Sequence, residues 1–198
     1  MVDPDTCSCC STSFVDTPDG PIAAYRDHQG DIRDIAVVRF RGGKWTEPAI
    51  VNNDGWKINA CPTNGPVLSA NGRRVAVAWF TAASDVPRVR LAFSEDAGAT
   101  FKTASAVDSG NPIGWPGVVL LNDGSAVVSW LENMKGGNGQ VRIRRMWPSG
   151  KAGEAVPVAA GPAGRSIGVP QMVRDGNNLI VAWRADRVMA ISVPVPAK

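Results

Sequence analysis

Two groups of residues in this sequence have the types and spacing for chemistry. The first is sulfur: Cys7, Cys9 and Cys10 form a Cys-x-Cys-Cys cluster, and the remaining cysteine, Cys61, follows Cys9 by 52 residues. Four converging thiolates suit zinc or copper(I), which accept soft sulfur ligands. The spacing lacks the two separated pairs of a zinc ribbon. A disulfide from Cys61 to Cys9 or to Cys10 answers the same residues, and so do unpaired thiols. The second group is the run Arg26-Asp27-His28-Gln29-Gly30-Asp31-Ile32-Arg33-Asp34, which contains the single histidine. Imidazole titrates near neutral pH and so serves as an acid, a base or a ligand. A solvated charged loop has the same composition, so the run is a candidate rather than a motif.

The balance of the chain limits what these residues serve. Its 198 residues are 44% apolar and 20% charged, with a net charge of +3, enough for one cored domain. Lys and Arg form no block, so neither nucleic acid nor an anionic lipid surface is an expected partner. No apolar run approaches the ~18 residues of a spanning helix. The acidic, polar start is unlike a secretory signal, so no signal peptide is expected within this chain. The 21 Gly and 15 Pro point to many turns joining short strands.

Those turns recur at a fixed interval. Asp19-Gly20, Asn71-Gly72, Asp123-Gly124 and Asp175-Gly176 are each 52 residues apart, and such dipeptides suit the positive φ angles of two-residue type I′ hairpins. Each is followed by a β-prone run ending in an aromatic: Tyr25, Trp79, Trp130 and Trp183, spaced 54, 51 and 53 residues apart. Third strands are expected at Ile35–Phe40, Val89–Phe93, Val141–Met146 and Val188–Val193. Fourth strands are expected at Pro48–Val51, Ala104–Val107 and Ala155–Val158. One repeat is thus a four-stranded antiparallel meander of β-propeller blade size. The expectation is an all-β propeller portion of about four blades, at roughly 11–60, 61–111, 112–164 and 165–198, behind a Cys-rich segment, 1–10. The last blade is incomplete. The repeated aromatics are expected to fill the wedges between blades.

Within the second repeat, Ser94-Glu95-Asp96-Ala97-Gly98-Ala99-Thr100-Phe101 resembles the Asp box of sialidases and other BNR-repeat propellers, with Ser94, Asp96, Gly98, Thr100 and Phe101 at the patterned positions. The corresponding turns at Arg41–Trp45 and Pro148–Lys151 are degenerate. The resemblance implies a sialidase-like propeller, apparently the C-terminal portion of a longer bacterial exported protein. It also implies that the Asp box is a folding device on the face opposite the catalytic site. A sialidase-type site would resemble a Tyr–Glu pair, an Asp acid/base and three Arg on the substrate carboxylate. The single tyrosine, Tyr25, occupies the wedge register, and no motif assigns the Arg. An exported protein, periplasmic or extracellular, also favours the disulfide reading of the cysteines.

In such a meander the second-to-third and the blade-to-blade connections share one face, the usual ligand face. It is expected to gather Arg26, Asp27, His28, Asp31, Arg33, Asp34, Trp56, Trp115 and Arg184 with Cys7, Cys9, Cys10 and Cys61, and Arg165 beside them. Two functions compete. One is a non-catalytic binding or structural module, glycan-directed by resemblance. The other is a sialidase-type exo-glycosidase completed by a missing half or a second subunit. Four blades leave open flanks, so a homodimer or a missing N-terminal half is expected. No cofactor is expected beyond a metal at the cysteine cluster.

Overall fold

A computed structural model of the chain describes residues 2–162, 168–184 and 186–197. The fold is all-β, a portion of a β-propeller built of antiparallel sheets, with no α-helix among the described residues. The first sheet holds β1 (Ser13–Val15), β2 (Ile22–Arg26), β3 (Ile35–Arg41) and β4 (Lys44–Trp45), with β5 (Ala49–Asn52) also paired to β3. The second is the meander β6 (Val67–Asn71), β7 (Arg74–Thr81), β8 (Arg88–Ser94) and β9 (Ser105–Ala106). The third is β10 (Pro112–Leu120), β11 (Ala126–Met134), β12 (Asn138–Met146) and β13 (Val156–Pro162). The fourth has β14 (Gln171–Asp175), β15 (Asn178–Arg184) and β16 (Val188–Pro194). Arg165 and the boundary expected near it lie outside the described residues.

The second strands read as continuous apolar runs because they are covered on both faces. Val75 to Thr81 is buried at every position, as is Ala126 to Glu132. A strand sandwiched between neighbouring sheets has no solvent side to mark by alternation. The register aromatics occupy the sandwich. Trp79 and Trp130 are fully buried; Trp79 packs with Ile22, Ile35 and Val37 of the preceding sheet, and Trp130 with Ala78, Val89 and Leu91. Trp183 packs against Leu131 and Val141. Tyr25 takes the same place with Ala23, Ala36 and Val38, but no described sheet precedes it.

Inner strands are also stitched by hydroxyls. Ser13 Oγ in β1 accepts the Leu68 N–H at 2.9 Å, and Ser69 Oγ in β6 accepts the Leu120 N–H at 2.9 Å. The same kind of bond thus recurs one repeat further on.

The recurrent glycines turn the chain in two ways, and neither is the type I′ hairpin that the dipeptides suggested. In the second and fourth sheets the paired residues are Asn71 with Arg74 and Asp175 with Asn178, so glycine stands first in the two-residue loop. In the first and third sheets, Gly20 and Gly124 close wider turns by donating to Thr17 O and Leu121 O. Glycine recurs because each place has a positive φ, from +57° to +107°, which side chains with a Cβ resist.

The turn between β8 and β9 is tied by its own side chains. Ser94 Oγ accepts the Gly98 N–H at 2.9 Å, and Asp96 accepts the Thr100 N–H at 2.9 Å and its hydroxyl at 2.7 Å. Burial works against the Asp96 anion, but these donors outweigh it and hold the carboxyl down at about 2. Gly98 has φ +75°, and a Cβ there would lie 2.2 Å from Ile22 Cδ1 of the first sheet. Gly98→Ala should therefore destabilise the protein by about 1–3 kcal/mol, read as a lower urea midpoint; an unchanged midpoint contradicts this packing. The depressed Asp96 carboxyl contributes stability that is present above its ordinary value of 3.8 and lost as pH falls through about 2. Acid unfolding of Asp96→Asn should accordingly show a weaker pH dependence across that window than the parent protein, and identical profiles would contradict the assignment.

Candidate functional site

Arg26 ends β2 and is 1% exposed. Its Nε and Nη2 donate to the Asn64 carbonyl at 3.1 and 2.8 Å, Nη2 also donates to Phe80 O at 2.7 Å, and Nη1 donates to Arg33 O. The guanidinium lies 4.8 Å from the centre of the Trp56 ring. Burial lowers its pKa below the ordinary guanidinium value, while the Cys10 and Cys7 sulfurs act the other way. Among the described residues no carboxylate forms an ion pair with it. Arg26 and Trp56, both expected on an open face, are instead an internal brace.

The rest of the charged run divides between bracing and surface. Asp34 is buried and accepts the Gly55 and Trp56 N–H groups at 2.9 and 3.1 Å, which seats Trp56 under the guanidinium. Asp27 is buried and accepts the His28 N–H and the Gln29 side chain; burial, offset by the His28 N–H, raises its pKa. His28 pairs through Nδ1 with Asp5. Asp31 meets Lys57 at 3.6 Å, and Arg33 donates to Gly30 O and Ile32 O within its own loop.

From Asn64 the brace continues into the third sheet. Asn64 is buried, and its Oδ1 accepts the Trp115 N–H at 2.6 Å. Trp115 Nε1 donates to Thr63 O at 3.1 Å. Thr63 and Trp115 stand one repeat apart, and both have positive φ, 52° and 47°. Backbone strain of this kind concentrates at ligand sites. Trp115 is half-exposed and borders two cavities. One, of about 260 Å³, runs between the inner strands past Ser13, Pro66, Gly117 and Gln171. The other, of about 410 Å³, is lined by Thr63, Trp115, Gly168, Val169 and Arg184. Of the expected residues, Trp115 and the exposed Arg184 thus share one cavity, and the charged run reaches it only through Arg26 and Asn64.

Two of the cysteines, Cys7 and Cys10, also neighbour Arg26. Cys9 and Cys61 are joined, with their Cα atoms 6.1 Å apart. Cys7 and Cys10 remain free thiols, their sulfurs 2.9 Å apart. Burial, with the Cys7 contact, pushes the Cys10 thiol up to about 11. With the disulfide closed, two sulfurs are left for a metal, not the four of a closed zinc site.

Each register aromatic with a described partner gives its polar hydrogen to a carboxylate. Trp79 donates to Asp54 at 2.6 Å, Trp130 to Glu132, and the Tyr25 hydroxyl to Asp3 at 2.5 Å. Burial, reinforced by Asp3, holds the Tyr25 phenol well above its ordinary pKa. Asn64, Thr63, Asp54 and Glu132 were not singled out in the sequence. Thr63 and Asn64 carry a legible signal, since one period places them with Trp115.

No known family model and no curated protein sequence matches this chain. Solved structures do. A sialidase, "Hadza microbial sialidase Hz136", is similar over 92% of this chain and 43% of its own, with 17% identity and a TM-score of 0.65. A Trypanosoma rangeli sialidase, solved with 2,3-difluorosialic acid, is similar over 91% and 35%, with 13% identity and a TM-score of 0.58. A xylan β-1,4-xylosidase from Bacillus halodurans is similar over 96% and 40%, with 11% identity and a TM-score of 0.59. These likenesses establish the β-propeller fold, and the chain spans less than half the length of each of these structures.

The brace makes a direct test. Arg26→Met leaves the Asn64, Phe80 and Arg33 carbonyls without their donor and should destabilise the protein by about 3–5 kcal/mol, read from urea unfolding. A loss within ~0.5 kcal/mol, the range of ordinary surface substitutions, would contradict the role given to Arg26.

Proposed function

We propose that this chain is a binding propeller directed at acidic glycans, with its ligand seat at Trp115. The observation that carries the reading is the place of Trp115: half-exposed, backbone-strained, held through Asn64 and Thr63, and bordering two cavities, one of which Arg184 shares. An indole face stacks on a sugar ring, and a guanidinium pairs with a carboxylate in a forked geometry. Cavities of this size hold one or two sugar units. The glycosidase neighbours support the carbohydrate class. The tied turn at Ser94 to Phe101 acts as an Asp box in this reading, a folding device remote from the ligand.

Assembly and location belong to the same proposal. The first sheet's outer side exposes Phe14 beside Trp45, and the last exposes Val173, Val188 and Ile191. Further blades, from a longer chain or from a second copy, would cover these flanks. The Cys9–Cys61 bond supports an oxidising compartment, periplasmic or extracellular. Among the described residues no helix is long and apolar enough to cross a membrane.

A second reading rests on Tyr25. Its hydroxyl contacts Asp3 beside a cavity of about 280 Å³ on the outer side of the first sheet, the arrangement of a phenol with a carboxylate base. Burial, reinforced by Asp3, works against the phenolate that a Tyr25 nucleophile would have to form.

Calorimetric titration with sialyllactose, a glucuronate-ended disaccharide and neutral lactose separates the readings. The acidic sugars should bind, Trp115→Ala should weaken binding by roughly tenfold or more, and Arg184→Gln should abolish the preference over lactose. Equal binding by Trp115→Ala, or none of the three sugars bound, would overturn the seat. Steady release of a fluorescent alcohol from a sialoside, lost in Tyr25→Phe, would establish the enzyme instead.

A further inference from the structure

The four sulfurs form a contiguous chain. Cys7 N–H donates to Arg26 O at 3.0 Å, and Cys10 N–H to Cys7 O at 3.3 Å, so Cys7 and Cys10 sit at the two ends of one turn fixed to the end of β2. Cys7 Sγ is 2.9 Å from Cys10 Sγ and 3.5 Å from Cys9 Sγ, and Cys9 is bonded to Cys61 in the next sheet's approach. Cys7 therefore stands between a thiol and a disulfide, in contact with both. The Arg26 guanidinium neighbours both free sulfurs; at Cys10 burial and the Cys7 contact outweigh it. A free pair that only packed the turn would not need this alignment.

We propose that Cys7 and Cys10 are an internal thiol–disulfide exchange site that installs and remakes the Cys9–Cys61 bond. A small-molecule disulfide such as oxidised glutathione takes two electrons from the Cys7 and Cys10 thiols, which become joined, and leaves as two thiols. Cys9 thiolate then attacks Cys7 Sγ, the Cys7–Cys10 bond breaks, and Cys10 departs and takes up a proton. Cys61 thiolate attacks Cys9 Sγ, closing Cys9–Cys61 and returning Cys7, which is protonated in turn. Cys9 and Cys61 each give up one proton, and the first pair ends reduced. That end state is the one in the structure: Cys9–Cys61 closed, Cys7 and Cys10 free. A direct route would instead require an external disulfide to react with Cys9 or Cys61.

The full chain is reduced, freed of reductant, and reoxidised with oxidised glutathione; samples are acid-quenched, alkylated and mapped by peptide mass spectrometry. A disulfide from Cys7 to Cys10 or to Cys9 should appear and decay before Cys9–Cys61 accumulates. Cys7→Ser should slow Cys9–Cys61 formation by roughly tenfold, since an external disulfide must replace a neighbouring one. Cys10→Ser should still show the Cys7–Cys9 intermediate. If Cys9–Cys61 forms without any earlier bond to Cys7 in the parent chain, the proposal is overturned whatever the variants do. An unchanged rate in a Cys7→Ser protein with the parent's circular dichroism overturns it as well.

Discussion

A buried guanidinium with no carboxylate paired to it among the described residues is the constraint around which this open propeller portion is arranged. Arg26 has surrendered its hydration and receives in return backbone carbonyls from Arg33, Asn64 and Phe80 and the face of Trp56. Desolvating a charge costs several kcal/mol unless its hydrogen bonds are restored. The chain can restore them only if the first sheet's loop, the entry to β6 and the end of β7 converge on one point. Each of those carbonyls is therefore a geometric condition on the relative placement of the first two sheets. Asn64 passes the condition on, because the residue whose carbonyl Arg26 holds presents its side chain to the Trp115 amide of the third. The strained, bulged stretch of β10 bearing Trp115 is thus held by a charge two sheets away.

The hydrophobic wedges supply the bulk of the cohesion and the polar brace supplies the alignment. Trp79 and Trp130 bury large flat surfaces between sheets, a non-directional attraction that tolerates sliding. Their indole N–H groups, donated to Asp54 and Glu132, and the Ser13 and Ser69 hydroxyls remove that freedom, because a buried polar group left unpaired is expensive. The Cys9–Cys61 bond acts at the same joint from outside, closing a 52-residue separation between the segment before β1 and the segment before β6. The Cys7 and Cys10 sulfurs neighbour Arg26, so the exchange proposed for the cysteines takes place beside the group that aligns the sheets.

The architecture was legible in the sequence because each repeat must solve the same backbone problem. The glycines at 20, 72, 124 and 176 recur since a positive φ recurs, and the aromatics recur since each wedge must be filled. What periodicity could not reveal was the turn type, which depends on where the paired residues stop, and so the expected type I′ hairpins gave way to two other turns. The same limit applied to the charged run. Composition marked Arg26 to Asp34 as a surface loop, yet Arg26, Asp27 and Asp34 are buried, because loop carbonyls and amides can pay for a charge as well as water does. Trp56 followed Arg26 inside. Trp115 and Arg184 did come together, although nothing in their local sequence distinguishes them from packing residues.

The central claim is that Arg26 positions the Trp115 bulge of β10 through Asn64. Amide hydrogen exchange followed by mass spectrometry, on the parent protein and on Arg26→Lys, tests it most directly, because a shorter, single-headed cation cannot reproduce the forked donation to three carbonyls. The account predicts faster exchange in peptides covering Thr63 to Gly65 and Gly114 to Gly117, far along the chain from the substitution, as well as around Ile22 to Ile35. Faster exchange confined to the first sheet, with the Trp115 peptide unaltered, would contradict it.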